Sequence, residues 1–323
     1  MENNTLIAYR RDIKVLDATI RDGGLVNNFS FSDEFVKALY EANVKAGIDY
    51  MEFGYKADPD LFNESEYGKW KFSKDEDIRA IVGDNHTGLK ISVMADVGRT
   101  NYKRDILPKK DSPIDMIRIA TYISQLPLAA EMVEDAHEKG YETCVNIMAI
   151  SKVQEEELLK GFELLCKTKV DVIYLVDSFG AFLPEQVERL TLLAKSIADK
   201  YGKKIGIHTH NNLQMAFANT VEAMRNGASY LDATMSGMGR GAGNCHIESL
   251  LSLLRNPKYN MFPLLDFVAE YMPKVKEDGA VWGFDIPYLL TGSLNIHPSR
   301  AIKFIKEGRT DYSEFYKELL EDN

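Results

Sequence analysis

Two histidines two residues apart, His208-Thr209-His210, are the most specific chemical feature of the chain. They close an apolar run, Ile205–His210, that reads as a β-strand, where alternate side chains project to the same side. Both imidazoles can then reach one divalent cation, and Asp22, from the end of another strand, can supply a carboxylate as third ligand. Two nitrogens and one carboxylate leave positions open for water or a bidentate substrate, as a catalytic rather than a structural site requires. The plainer alternative is a pair of hydrogen-bonded histidines. Arg21, beside Asp22, keeps its charge at any working pH and suits a developing enolate oxygen, or an ion pair with Asp17 or Glu52. Glu52 lies in the apolar run Tyr50-Met51-Glu52-Phe53-Gly54 and is costly to bury unpaired. Orienting Arg21 or a ligand is therefore preferred for it over proton transfer.

Other polar residues fall at the ends of apolar runs. Arg118 and Asp177 are candidate substrate contacts, and Asp177 could equally be the turn residue ahead of Pro184. The run Gly237-Met238-Gly239-Arg240-Gly241-Ala242-Gly243 ends at Asn244. Its amides, those of Gly241 and Gly243 among them, could receive an anion, or the loop could be a tight closing turn. Asn244 is a further metal-ligand candidate, or the cap of a helix over Ile247–Leu254.

The elements that must hold these residues alternate. Strand-like runs rich in Val, Ile, Tyr and Met occur at Lys14–Asp22, Asp49–Tyr55, Leu89–Val97, Met116–Tyr122, Glu142–Ala149, Val172–Asp177, Ile205–His210 and Tyr230–Met235. Helical spacing separates them, as in Asp33–Ala46, Glu155–Cys166 and Pro184–Asp199. Eight such units predict an α/β fold, a (β/α)8 TIM barrel over residues 1–255, with chemistry at the carboxyl ends of its strands. No GxGxxG follows an early strand, which argues against a dinucleotide fold. From residue 256 to 323 the alternation gives way to helices at Pro263–Lys274, Pro298–Lys306 and Tyr312–Leu320, a small C-terminal helical appendage.

The 323 residues are 45% apolar, enough for a large core, and a formal charge of −10 argues against nucleic acid as a partner. Cys144, Cys166 and Cys245 have no CxxC spacing and fit buried apolar positions. No apolar run approaches membrane-spanning length, so no membrane partner and a cytoplasmic location are expected.

The motifs DATIRDGG, IHTHNN and GMGRGAGNCHIE, in that order over roughly residues 14–255, resemble the DRE-TIM metallolyase (HMGL-like) superfamily. The stretch from His208 to Glu248 is most similar to 4-hydroxy-2-oxovalerate aldolases. That resemblance implies Asp22, His208 and His210 as ligands of a divalent metal, manganese first, with magnesium, cobalt or zinc as alternatives. It implies that Arg21 stabilises a pyruvate-type enolate as a 4-hydroxy-2-oxo acid is cleaved or formed. The implied partners are a small 2-oxo acid substrate, an aldehyde dehydrogenase and further copies of the chain. Two departures stand out. Those aldolases carry a catalytic histidine where this chain has Leu25. Their C-terminal tyrosine is matched only loosely by the run Trp282–Tyr288, which leaves Tyr288 a candidate substrate contact. Tyr55, Tyr288 and His297 are candidates for the missing proton-transfer group. A metal-dependent aldolase is the first expectation. A Claisen-type acyl-CoA synthase on the same barrel and a metal-binding pseudoenzyme are the alternatives.

Overall fold

The structure, a computed structural model, describes residues 10–254 and 256–321. Strands β1 (Lys14–Asp17), β2 (Tyr50–Tyr55), β3 (Lys90–Asp96), β4 (Met116–Thr121), β5 (Glu142–Ile147), β6 (Val172–Asp177), β7 (Lys204–Thr209) and β8 (Tyr230–Ala233) pair in parallel in sequence order and close into a barrel. This is the expected (β/α)8 architecture. Around it lie α1 (Thr19–Asn27), α2 (Asp33–Ala46), α3 (Asp75–Val82), α4 (Tyr102–Asp105), α5 (Leu126–Glu138), α6 (Glu155–Cys166), α7 (Pro184–Tyr201), α8 (Ala216–Arg225) and α9 (Ile247–Leu253). Helices α10 (Phe262–Glu277), α11 (Ile286–Ser293), α12 (Ser299–Lys306) and α13 (Tyr312–Glu321) follow. None of the described helices is long and apolar enough to cross a membrane.

Strands β2, β4 and β6 are buried along their whole length, and the others everywhere except at one or both end residues, because one face fills the barrel and the other meets the helices. Local chemistry sets the helix ends. Helix α2 starts at Ser32, whose hydroxyl accepts from the Phe35 amide, and stops at Gly47 in the left-handed region.

The amino-terminal end of the barrel is plugged. Tyr50 and Tyr230, at the starts of β2 and β8, donate to Glu142 at 2.9 and 3.2 Å, and Lys90 joins the same carboxylate at 2.8 Å. Above this layer the Tyr174 ring lies 4.5 Å from the Arg118 guanidinium, and Gly206 leaves it room: a Cβ there would meet the ring at 2.4 Å.

One expected element needs correction. The first strand ends at Asp17 rather than Asp22, and Thr19–Asn27 is a helix. Gly23 and Gly24, inside it, let this helix sit close to its neighbours. A Cβ would lie 2.9 Å from the Met238 sulfur at Gly23 and 2.2 Å from the Phe29 ring at Gly24.

The C-terminal helices are seated on the barrel. Phe267 of α10 packs edge-on against Phe35 of α2, and Tyr288 of α11 and Ala301 of α12 cluster with Ala242 of the glycine-rich loop. Phe304 and Phe315 stack at 4.3 Å and join α12 to α13. Helix α11 was not anticipated from the sequence.

Candidate metal centre

Asp22 comes from the first turn of α1, His208 from β7 and His210 from the residue just beyond it. Their ligand atoms lie within 4.8 Å of one another, and all three residues are buried. His208 Nε2 is 3.2 Å and His210 Nε2 3.9 Å from the same Asp22 oxygen, Oδ2. His210 is held by a bridge to Asn244, so the loop after β8 is tied to the end of β7.

The protonation pattern can be derived. His208 Nδ1 is 3.0 Å from Asp232 Oδ2, and a carboxylate only accepts, so Nδ1 carries the ring proton. In the neutral ring the lone pair of Nε2 then points at Asp22, one acceptor facing another, and Nε2 is buried without a hydrogen bond. Burial and the Arg21 charge pull the ring down, but Asp22 and Asp232 outweigh them and raise it, so a proton and a cation compete for this nitrogen. Asn244 Oδ1 is likewise buried without a partner, while its Nδ2 donates to the Met238 carbonyl at 3.2 Å. An orphaned ring nitrogen facing a carboxylate fits a cation, and the carboxylate–histidine pair behind it fixes the ligand tautomer. Burial alone would raise Asp22, but Arg21 and the two histidines outweigh it and hold the carboxyl well below its usual range. Burial pushes His210 down to about 3, which keeps it neutral as a ligand must be.

Beneath this set lies a buried ion network. Arg21 pairs with Asp22 and, through Nε, with Glu52 Oε2 at 2.8 Å. Arg118 bridges the same Glu52 oxygen at 2.7 Å and Asp232 at 2.6 Å. Glu52 thus pairs with both arginines and does not line the cavity above them. Arg118, expected as a substrate contact, has no exposed surface and acts on the other side of Glu52. Asp232 was not anticipated. Its signal in the sequence is the one that marked Glu52, a lone acid in an apolar strand.

Above the ligands is a cavity of about 60 Å³, walled by Arg21, Asp22, Tyr55, Asn146, Ser178 and Arg240 among polar residues, and by Leu25, Met94, Met148 and Val176. Other expected substrate contacts lie outside this wall. Asp177 accepts from the amides of Ala181 and Phe182 and shapes the turn into α7. Gly241 and Gly243 serve the loop's geometry: both have positive φ, and a Cβ on Gly243 would fall 2.1 Å from the Gly237 carbonyl. Several of the loop's amides are spent on the protein, with Arg240 N donating to Asp22 Oδ1 at 3.2 Å, Ala242 N to Asn212 at 3.1 Å and Gly243 N to the Arg240 carbonyl at 3.2 Å. Tyr288 is buried against Ala242 and Ala301.

The family described as HMGL-like matches residues 12–267. An oxaloacetate decarboxylase of Mycobacterium tuberculosis is 31% identical over 259 residues, 77% of this chain and 72% of that protein. A 4-hydroxy-2-oxovalerate aldolase of Geobacillus thermodenitrificans is 28% identical over 306 residues, 91% of this chain and 86% of its own. Among solved structures, the N-terminal domain of a Bacteroides vulgatus protein provisionally called an aldolase superposes with a TM-score of 0.78 at 29% identity, covering 91% of this chain and 96% of that domain.

Proposed function

The chain belongs to the HMGL-like family and is a carbon–carbon lyase, and from that premise we propose that it cleaves a short 2-oxo acid to a pyruvate-type enolate, with Asp22, His208 and His210 holding a divalent ion, manganese first. The observation that carries this reading is the orphaned Nε2 of His208 facing Asp22, with Arg21 at the same cavity. Bound there, the ion would polarise the keto oxygen as a Lewis acid. Arg21, held by Glu52 and Asp22, presents a fixed cation to the oxygen on which charge grows as the bond breaks. Asn244 is a further ligand on the strength of its unpartnered Oδ1.

The leaving group is a carbonyl compound or carbon dioxide. Retro-aldol cleavage of a 4-hydroxy-2-oxo acid needs a group to take the hydroxyl proton. Leu25 lines the cavity, 37% exposed, where the resembling aldolases carry a histidine. Tyr55 also lines it, its hydroxyl makes no hydrogen bond to the described residues, and burial pushes its pKa upward, which suits giving a proton more than taking one. Loss of carbon dioxide needs no base, only a proton delivered to the enolate carbon, and Leu25 favours that second reading.

The test is pyruvate release by the Mn²⁺-loaded protein from 4-hydroxy-2-oxovalerate and from oxaloacetate, with CoA release from acyl-CoA plus a 2-oxo acid in parallel. Pyruvate from either of the first two, lost in His208→Ala together with stoichiometric metal, supports the proposal. CoA release alone would overturn it in favour of a synthase, and silence in every format with metal bound would overturn it in favour of a pseudoenzyme.

A further inference from the structure

Arg240 is a cation at the cavity with no acidic partner among the described residues. Its own amide donates to Asp22, which plants its backbone beside the candidate ligands. Its guanidinium is placed by the Ser178 carbonyl, 3.1 Å from Nη2, and its Nε is buried without a hydrogen bond.

The C-terminal appendage brings a second donor to the same point. His297 Nε2 lies 3.4 Å from Arg240 Nη1, and its ring sits edge-on to Phe179. The Ser299 amide, which can only donate, lies 3.1 Å from His297 Nδ1, so Nδ1 is the acceptor. Partial burial and then the Arg240 charge hold the ring down, to about 4, so it is neutral and carries its proton on Nε2. Two N–H donors thus face each other at the cavity rim with no acceptor between them.

The charge balance points the same way. Arg21 and Arg118 offset two of the three carboxylates Asp22, Glu52 and Asp232, leaving one negative charge. A divalent ion turns that into one positive charge, and the carboxylate of a 2-oxo acid cancels it. The charge of Arg240 is then left over.

We infer that Arg240 and His297 receive a second anionic group on the substrate, a carboxylate at the end of the 2-oxo acid remote from the keto carbon. The inference rests on the function proposed above and names its substrate class as a dicarboxylic 2-oxo acid. It makes Arg240 a specificity-determining residue and gives the appendage a part in substrate choice.

Calorimetric titration of the Mn²⁺-loaded protein with 2-oxoglutarate and 2-oxovalerate tests it. These five-carbon acids differ at the far end, carboxylate against methyl, and neither carries the 4-hydroxyl needed for retro-aldol cleavage or a carboxylate β to the keto group for loss of carbon dioxide. The wild type should bind 2-oxoglutarate about tenfold or more tighter. Arg240→Gln should bring the two within about twofold by weakening 2-oxoglutarate alone, and Arg240→Lys should retain part of the preference. Equal affinities in the wild type overturn the inference while leaving the functional proposal standing, and so does a preference that survives in Arg240→Gln. If neither acid binds, the functional proposal fails and the inference goes with it. The wild-type comparison does not depend on any variant folding.

Discussion

At His208 the position of one proton decides what the ring can hold. Asp232 pins that proton on Nδ1 and so turns Nε2 towards Asp22. Asp232→Asn keeps the shape but lets the amide present a donor to the ring, so the tautomer is no longer enforced. Mn²⁺ affinity should fall about 10–100-fold, read by metal titration at a temperature where the variant is folded. Unchanged affinity would mean that Asp232 serves only Arg118. Gly239 tests the same spot sterically. A Cβ there would lie 2.1 Å from Asn244 Nδ2 and 2.7 Å from Asp22 Oδ1, so Gly239→Ala should strip stoichiometric metal from a protein whose circular dichroism is unchanged. At this scale the sequence was readable where a residue type is costly in its setting. Two histidines two apart and a lone glutamate in an apolar strand announced themselves. Arg240 did not, because an arginine in a glycine-rich loop looks the same whether or not an acid lies across from it.

The elements position these residues through contacts that local sequence only partly encodes. The eight strands were legible because burial on both faces demands continuous apolar runs. Helix α1 was not, since two glycines in nine residues lower its intrinsic propensity, and its existence depends on close approach to Met238 and Phe29. Asp17, the last residue of β1, accepts from the Thr19 amide and from Asn43. Burial outweighs those bonds and raises its carboxyl from 3.8 to about 6. The folded state therefore holds this proton more tightly than the unfolded chain. Its stabilising contribution is complete below about pH 4 and is lost as pH rises through about 6, a change on the order of 3 kcal/mol. Asp17→Asn keeps an acceptor for Thr19 and removes the titration. Between pH 4 and 6.5, denaturant unfolding should show the wild type losing ground relative to the variant; parallel profiles would refute the assignment. Inside the barrel, Arg118→Met takes one guanidinium N–H from Asp232 and one from Glu52, and should cost about 3–5 kcal/mol in the same measurement.

Over the whole molecule, the alternation of strand and helix made the barrel legible. The seating of the appendage on the mouth did not follow from it, because the approach of His297 to Arg240 joins residues far apart in the chain and leaves no local pattern. The plug at the amino-terminal end carries a consequence of another kind. With Tyr50, Tyr230, Glu142 and Lys90 sealing the floor and Tyr174 and Arg118 filling the space above it, the described residues close the cavity at the amino-terminal end of the barrel. Whatever enters deepest must leave last. The fragment next to Arg21 and the histidines is then the final product out, and the fragment nearer the rim departs first. Product-inhibition kinetics should accordingly give pyruvate as a competitive inhibitor against the substrate and the other fragment as a noncompetitive one. A barrel closed at the bottom thus imposes a queue, and the order of that queue can be read in a steady-state experiment.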